Sequence, residues 1–236
     1  MKKFTKVALI GVAATTLFAF SAPTGDSPFE GVVTFSMSFT SSDPSTSQMA
    51  AMMNQSGSST KNYIKGDKVR TEVMAGMMHR IVIADRKTKE TVTLVDMMGN
   101  KYEIKSDPNK PKTTPENTPE IKLIDSTKTI AGYLCHAALV TVTSPKTGDK
   151  NTVTVYYTDQ LPYSEDMGQF KGLKGFPMQF SSMMRGMRVN LSVQTVEKKA
   201  LSDTLFVIPA KGYKVVASEQ EMMKDIQQDA GGGGGN

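Results

Sequence analysis

Tryptophan is absent from this 236-residue chain, histidine occurs twice, cysteine once, and aromatic residues make up only 7%. A single cysteine, Cys135, excludes an intramolecular disulfide. Two histidines and one thiol, with His136 next to Cys135, cannot form a compact tetrahedral zinc set without carboxylates. Sparse aromatics and dispersed Lys and Arg leave no phosphate-tracking surface, which argues against a nucleic-acid partner. Also missing are the G-x-S-x-G elbow, a Gly-rich phosphate loop, H-E-x-x-H and paired-carboxylate patterns, so the residues point to a non-catalytic protein without a cofactor. No apolar run reaches the roughly 20 residues that a membrane-spanning helix needs.

What is present begins with Lys2, Lys3 and Lys6, followed by an uncharged apolar run from Val7 to Phe20. That is the pattern of a secretory leader. A cut after Ser21 puts the small residues Ala19 and Ser21 where a signal peptidase reads, so residues 1–21 are expected to be a signal peptide. The product is expected to be periplasmic or secreted. With no cysteine after the cut to carry a lipid, neither an anchor nor an integral span is expected to remain. The leader takes three of the 28 basic residues, leaving 25 against 23 acidic ones, so much of the formal +5 charge is a targeting device. Residues 22–229 are long enough for one core, and residues 230–236 read as a flexible Gly-rich tail.

Most of that domain reads as strand. Val33, Phe35, Met37 and Phe39 alternate with Thr34, Ser36, Ser38 and Thr40, the period of two of a half-buried strand. The same alternation recurs at Ile81 and Ile83, at Val92 and Leu94, at Val153, Val155 and Tyr157, and at Val189, Leu191 and Val193. Gly-containing turns at Lys65-Gly66-Asp67, Gly99-Asn100 and Lys146-Thr147-Gly148-Asp149 divide the runs as hairpins require. One strand, Ile130 to Val142, is apolar on both sides and is expected to be covered on both. Helices are expected from Asp43 to Ser56, with Pro44 at its start, and after the capping pair Ser218 and Glu221. The glycine-rich stretch Asp166 to Arg185 reads as irregular, with a helix open only at Gln179 to Arg185. Pro108 to Pro119 reads as an extended surface loop.

Three segments carry a family resemblance: TKTIAGYLCHAALVTV (Thr127 to Val142), FEGVVTFSMSF near the start and LSDTLFVIPAKGYKVV near the end. The most specific pattern is Lys-x-Ile-x-Gly-Tyr-x-Cys, present as Lys128, Ile130, Gly132, Tyr133 and Cys135. YIKGDKVRTE, YYTDQLP and FKGLKGFPMQF support it more weakly. The chain resembles an uncharacterised family of exported bacterial envelope proteins, a domain of unknown function, whose fold is similar to the periplasmic lipoprotein-carrier (LolA-like) half-barrel. The resemblance implies an α+β, mainly β protein in which a strongly curved antiparallel sheet carries a few short helices in or over its hollow. It also implies the carriage of acyl chains there.

The candidate site is the apolar face of those strands: Phe35, Met37, Phe39, Ile83, Leu94, Val155 and Leu191. Methionine is abundant, 17 in all, with doublets at Met52-Met53, Met77-Met78, Met97-Met98, Met183-Met184 and Met222-Met223. Pliable thioethers suit a wall that accepts varied apolar shapes, and equally a loosely specified core. The expected function is therefore a non-catalytic periplasmic carrier or binding protein for a lipid, acyl chain or lipidated partner protein. Two alternatives stay open. Met74, Met77, Met78 and His79 fall within six positions and include soft Cu(I) ligands, although adjacent strand residues point to opposite faces. A structural, partner-binding protein with a filled core is the other. Cys135 and His136 diverge on a strand and so cannot act together, which makes Cys135 a buried structural residue. Asp85, Asp96 and Asp125 close strand runs as turn residues. Gly132, Tyr133, Pro209, Gly212 and Tyr213 serve the fold.

Overall fold

A computed structural model of the chain describes residues 29–106, 118–143, 148–162, 170–184 and 186–231. The expected signal peptide, the loop after Pro108 as far as residue 117, the first half of the Lys146 turn, the start of the Asp166 stretch and the end of the Gly tail lie outside the described residues. The strands are β1 (Glu30–Thr40), β2 (Ser59–Lys65), β3 (Lys68–Ala75), β4 (Met78–Asp85), β5 (Glu90–Met97), β6 (Asn100–Ser106), β7 (Glu120–Ile130), β8 (Tyr133–Thr143), β9 (Lys150–Thr158), β10 (Phe176–Met184), β11 (Met187–Lys198) and β12 (Lys214–Val216). The α-helices among the described residues are α1 (Pro44–Gln55) and α2 (Glu219–Gly231), and a short 3-10 turn spans Asp203–Phe206.

All twelve strands share one sheet in the order β12-β6-β5-β4-β3-β2-β1-β11-β10-β9-β8-β7. Two hairpin meanders, β1 to β6 and β7 to β11, are joined where β11 pairs antiparallel with β1. Among the described strands only β12 runs parallel to its neighbour, β6. The protein is thus mainly β, as expected. The sheet does not close, its edges being β12 and β7, and it is not strongly curled as a whole. Its β7 end bends, bringing β7 against β11 although β10, β9 and β8 stand between them.

Local chemistry explains the elements. In β1, Val33, Phe35 and Phe39 are buried while Ser36, Ser38 and Thr40 are exposed. Asp43 caps α1 by accepting the Ser45 N–H at 2.9 Å, with Pro44 opening the helix. The α2 capping box is reciprocal: Ser218 Oγ accepts the Glu221 N–H at 3.2 Å, and Glu221 Oε2 accepts the Ala217 N–H at 2.7 Å.

Two expectations change. The run from Ile130 to Val142 is not one strand, because Ala131 (φ 49°) and Gly132 (φ 85°) form the two-residue turn of the β7–β8 hairpin. Gln179 to Met184 is strand, hydrogen-bonded to β11 and, near its start, to β9. Its glycines bound the strand rather than interrupt it.

The register assigns the two faces. Val33 opposes Asn62, and the row continues through Thr71, Val82 and Thr93 to Ile104. Both helices pack on this face, α1 against Phe39, Ala75, Met187 and Val189, and α2 against Val95, Tyr102 and Val216. The opposite face of β1–β6 is crossed by residues 199–213 on their way to β12. Leu201 and Phe206 cover Val32 there, and Tyr213 covers Ile81, Ile83, Val92 and Leu94. Arg70 Nη1 holds this segment by donating to Leu205 O at 2.9 Å, and Lys65 Nζ by donating to Leu201 O at 2.8 Å.

Candidate functional site

Beneath α1, Met37, Met78, Met184 and Met187 of the sheet meet Met53 of the helix, around Phe39, Ala75, Val189 and Leu191. Of the helix itself only Ala50 is buried, and Met49 and Met52 stand 51% and 64% exposed. What fastens α1 is polar. Asn54 accepts the Phe39 N–H on its side-chain oxygen and donates from Nδ2 to Phe39 O, each at 2.8 Å. The β1–β2 pairing ends at Ser36 and Ser59, so Asn54 takes the place of a strand neighbour for Phe39. Nothing in the sequence marked Asn54, since a polar residue in the last turn of a helix is ordinary.

The floor next to this cluster is partly polar. Thr60 and Asn62 are buried on the same face, Thr60 donating to the Met37 sulfur at 2.9 Å. The Asn62 side-chain oxygen has no hydrogen-bond partner among the described residues. Such a buried acceptor carries a desolvation cost that a ligand donor or a water would relieve.

The seven sequence-predicted residues fall in three places. Met37, Phe39 and Leu191 lie together under α1. Phe35 and Val155 belong to the largest cluster, where Phe170, Phe176, Met178 and Phe180 fill the space beside β1, β8 and β9. Ile83 and Leu94 lie on the opposite face under Tyr213, because the register brings Val82 rather than Ile83 into the row of Val33.

Cys135 is fully buried and its Sγ donates to Tyr133 O at 3.4 Å. Burial pushes its thiol up, against smaller downward pulls from a backbone hydrogen bond at Ile130 and the charge of Lys128. His136 is exposed, with its ring 6.1 Å from that of Tyr157. His79, on β4, is separated from β8 by six intervening strands of the sheet, so neither histidine serves the thiol as a base. Among the described residues no three of His, Cys, Asp and Glu converge as a metal group.

The structure adds a groove that the sequence reading did not single out. On the face away from α1, a shallow depression of about 390 Å³ is lined by Ser36, Ser38, Tyr156, Gln179, Asn190 and Ser192, among others. Lys128 Nζ donates to Gln179 Oε1 at 2.9 Å and lies 5.6 Å from the centre of the Tyr156 ring. The signal for it was the polar half of the β1 alternation.

An open, mainly antiparallel sheet with two helices on one face and a crossing segment on the other defines the class as α+β, mainly β. The chain belongs to the family described as a domain of unknown function, DUF4412, whose model matches residues 45–213. No curated protein matches it. Among solved structures it is similar to PNGF-II in the C2 space group, at 17% identity and a TM-score of 0.45, covering 85% of this chain and 33% of that one. For PNGF-II in the P21 space group the figures are 19%, 0.44, 83% and 33%. The chain thus spans about a third of the length of those proteins.

Proposed function

We propose that this protein is an exported, non-catalytic carrier or binding protein for an acyl chain, a lipid or a lipidated partner, held against the methionine floor beneath α1. The observation that carries the reading is the way α1 covers that floor. It shelters pliable thioethers, yet buries only Ala50 of its own residues and is pinned chiefly by Asn54. A helix held so lightly can swing away and hand its apolar floor to a ligand. The buried Asn62 oxygen nearby suits the polar end of such a ligand. With α1 displaced, the exposed floor would serve as the acyl-chain hollow that the LolA-like, half-barrel resemblance implies. The basic and apolar leader supports periplasmic or secreted placement.

The test is a displacement titration of a fluorescent fatty acid on the folded, delipidated protein, with Leu191→Asp and Met37→Asp beside Ser192→Asp on the opposite face. Binding at about micromolar concentration, lost in the first two variants and kept in the third, is expected. A folded protein that takes up no acyl probe refutes the carrier. The second reading, a partner-binding protein with a filled core, is favoured by the polar groove over β1, β11, β10 and β9, and would then take its place.

A further inference from the structure

One end of the sheet exposes thioethers that neither the core nor the α1 floor uses. Met74 is 44% exposed, Met77 71% and Met98 68%. The register brings them to one place. Met74 pairs directly with His79 across β3 and β4, and His79 pairs with Asp96 across β4 and β5, so Met74, His79 and Asp96 form one row on one face. Cross-strand partners of this kind stand roughly 5 Å apart at Cβ. Met78 pairs with Met97, so the turn that holds Met77 and the turn that holds Met98 lie side by side at the end of that row. Met78 itself faces the other way, into the cluster under α1.

The donors in the row are available. Among the described residues the His79 imidazole has no hydrogen bond or ion pair. Asp96 accepts the Gly99 N–H at 3.0 Å on one oxygen, while its other oxygen is 3.9 Å from Lys101 Nζ, beyond hydrogen-bond distance. Two neutral thioethers and an imidazole are soft to borderline donors, a set that suits Cu(I) over Mg²⁺ or Ca²⁺. A neighbouring carboxylate neutralises the single charge.

We propose that Met74, His79 and the turn residue Met77, with Asp96 beside them, form a surface site for a soft monovalent cation, Cu(I). Met98, in the adjoining turn, completes the thioether rim. The site lies on the face away from the α1 floor and does not depend on the carrier reading.

The experiment titrates the full folded chain anaerobically with Cu(I) against a chromophoric Cu(I) chelator. In parallel it is titrated with Ag(I), a redox-inert stand-in, while the Met methyl and His ring signals are followed by NMR. One equivalent is expected to bind and to shift Met74, Met77 and His79. Losing a supporting residue of a metal site costs about 10–100-fold in affinity, so Met74→Leu and His79→Ala should each weaken binding at least about tenfold. Met52→Leu, on α1, should leave it unchanged. Absence of saturable binding overturns the proposal. So do shifts that spare His79, or an equal loss in Met52→Leu, which would mean thioethers binding loosely over the whole surface. The shift map on the unmodified protein decides the matter even if a variant folds poorly.

Discussion

Replacing Asn54 with alanine tests what holds α1 to the sheet. The side chain makes two 2.8 Å hydrogen bonds to the backbone of Phe39, which has no β2 partner at that position. Each such bond contributes about 0.5–1.5 kcal/mol net, and the vacated N–H and C=O are only part-buried, so water recovers some of the loss. The expected cost is about 2 kcal/mol, or roughly 4–8 °C in Tm for a domain of this size. The loss is local first. Hydrogen exchange at the Phe39 amide should therefore accelerate about 30-fold, since each 1.4 kcal/mol is a factor of ten. Asn54→Asp keeps the acceptor and loses the donor, and should cost more than the alanine change at the Phe39 carbonyl, where a carboxylate then faces an oxygen. Amide exchange by NMR together with thermal melts measures both effects. If Phe39 exchange and Tm match the unmodified protein, Asn54 is not the clamp and α1 is held by its apolar contacts.

Further outcomes follow from two buried positions. Native thiol labelling of Cys135 should be slow, and Cys135→Ser should cost about 1–3 kcal/mol from a hydroxyl placed in an apolar site; rapid labelling of the folded protein refutes this. Because burial raises the Cys135 thiol above its ordinary 9.0, the folded chain holds that proton longer than the unfolded one. Its contribution is complete below pH 9.0 and is lost as pH climbs from there through the raised value, so urea midpoints of Cys135→Ala should fall less steeply over that range than those of the unmodified protein. Gly31→Ala places a Cβ 2.2 Å from Glu197 O, where β11 backbone crowds β1. A loss of roughly 1–3 kcal/mol or more in urea unfolding is expected, and an unchanged midpoint would show that the β1–β11 join yields easily.

Much of the architecture was legible in the residues. Strict alternation from Val32 to Thr40 specified β1, Asp43 and Pro44 specified the start of α1, and Ser218 with Glu221 specified that of α2, because each signal is local and acts through a short-range hydrogen bond or the pleat of one strand. The Ala131-Gly132 turn was hidden because the apolar residues around it continue without a break, and β10 was hidden because its flanking glycines and methionines match no period. The candidate site was only half legible. Alternation tells which residues of one strand share a side, and it placed Met37 and Phe39 together correctly. It does not tell which side of the sheet that is on the next strand, because a slip of one residue in pairing exchanges the faces. Hairpin turns and pairing register therefore decided that Val82, not Ile83, joins the row of Val33, and that Met74, His79 and Asp96 meet. The same long-range pairing left Phe39 without a neighbour on its β2 side, and that vacancy is what gives Asn54 its role.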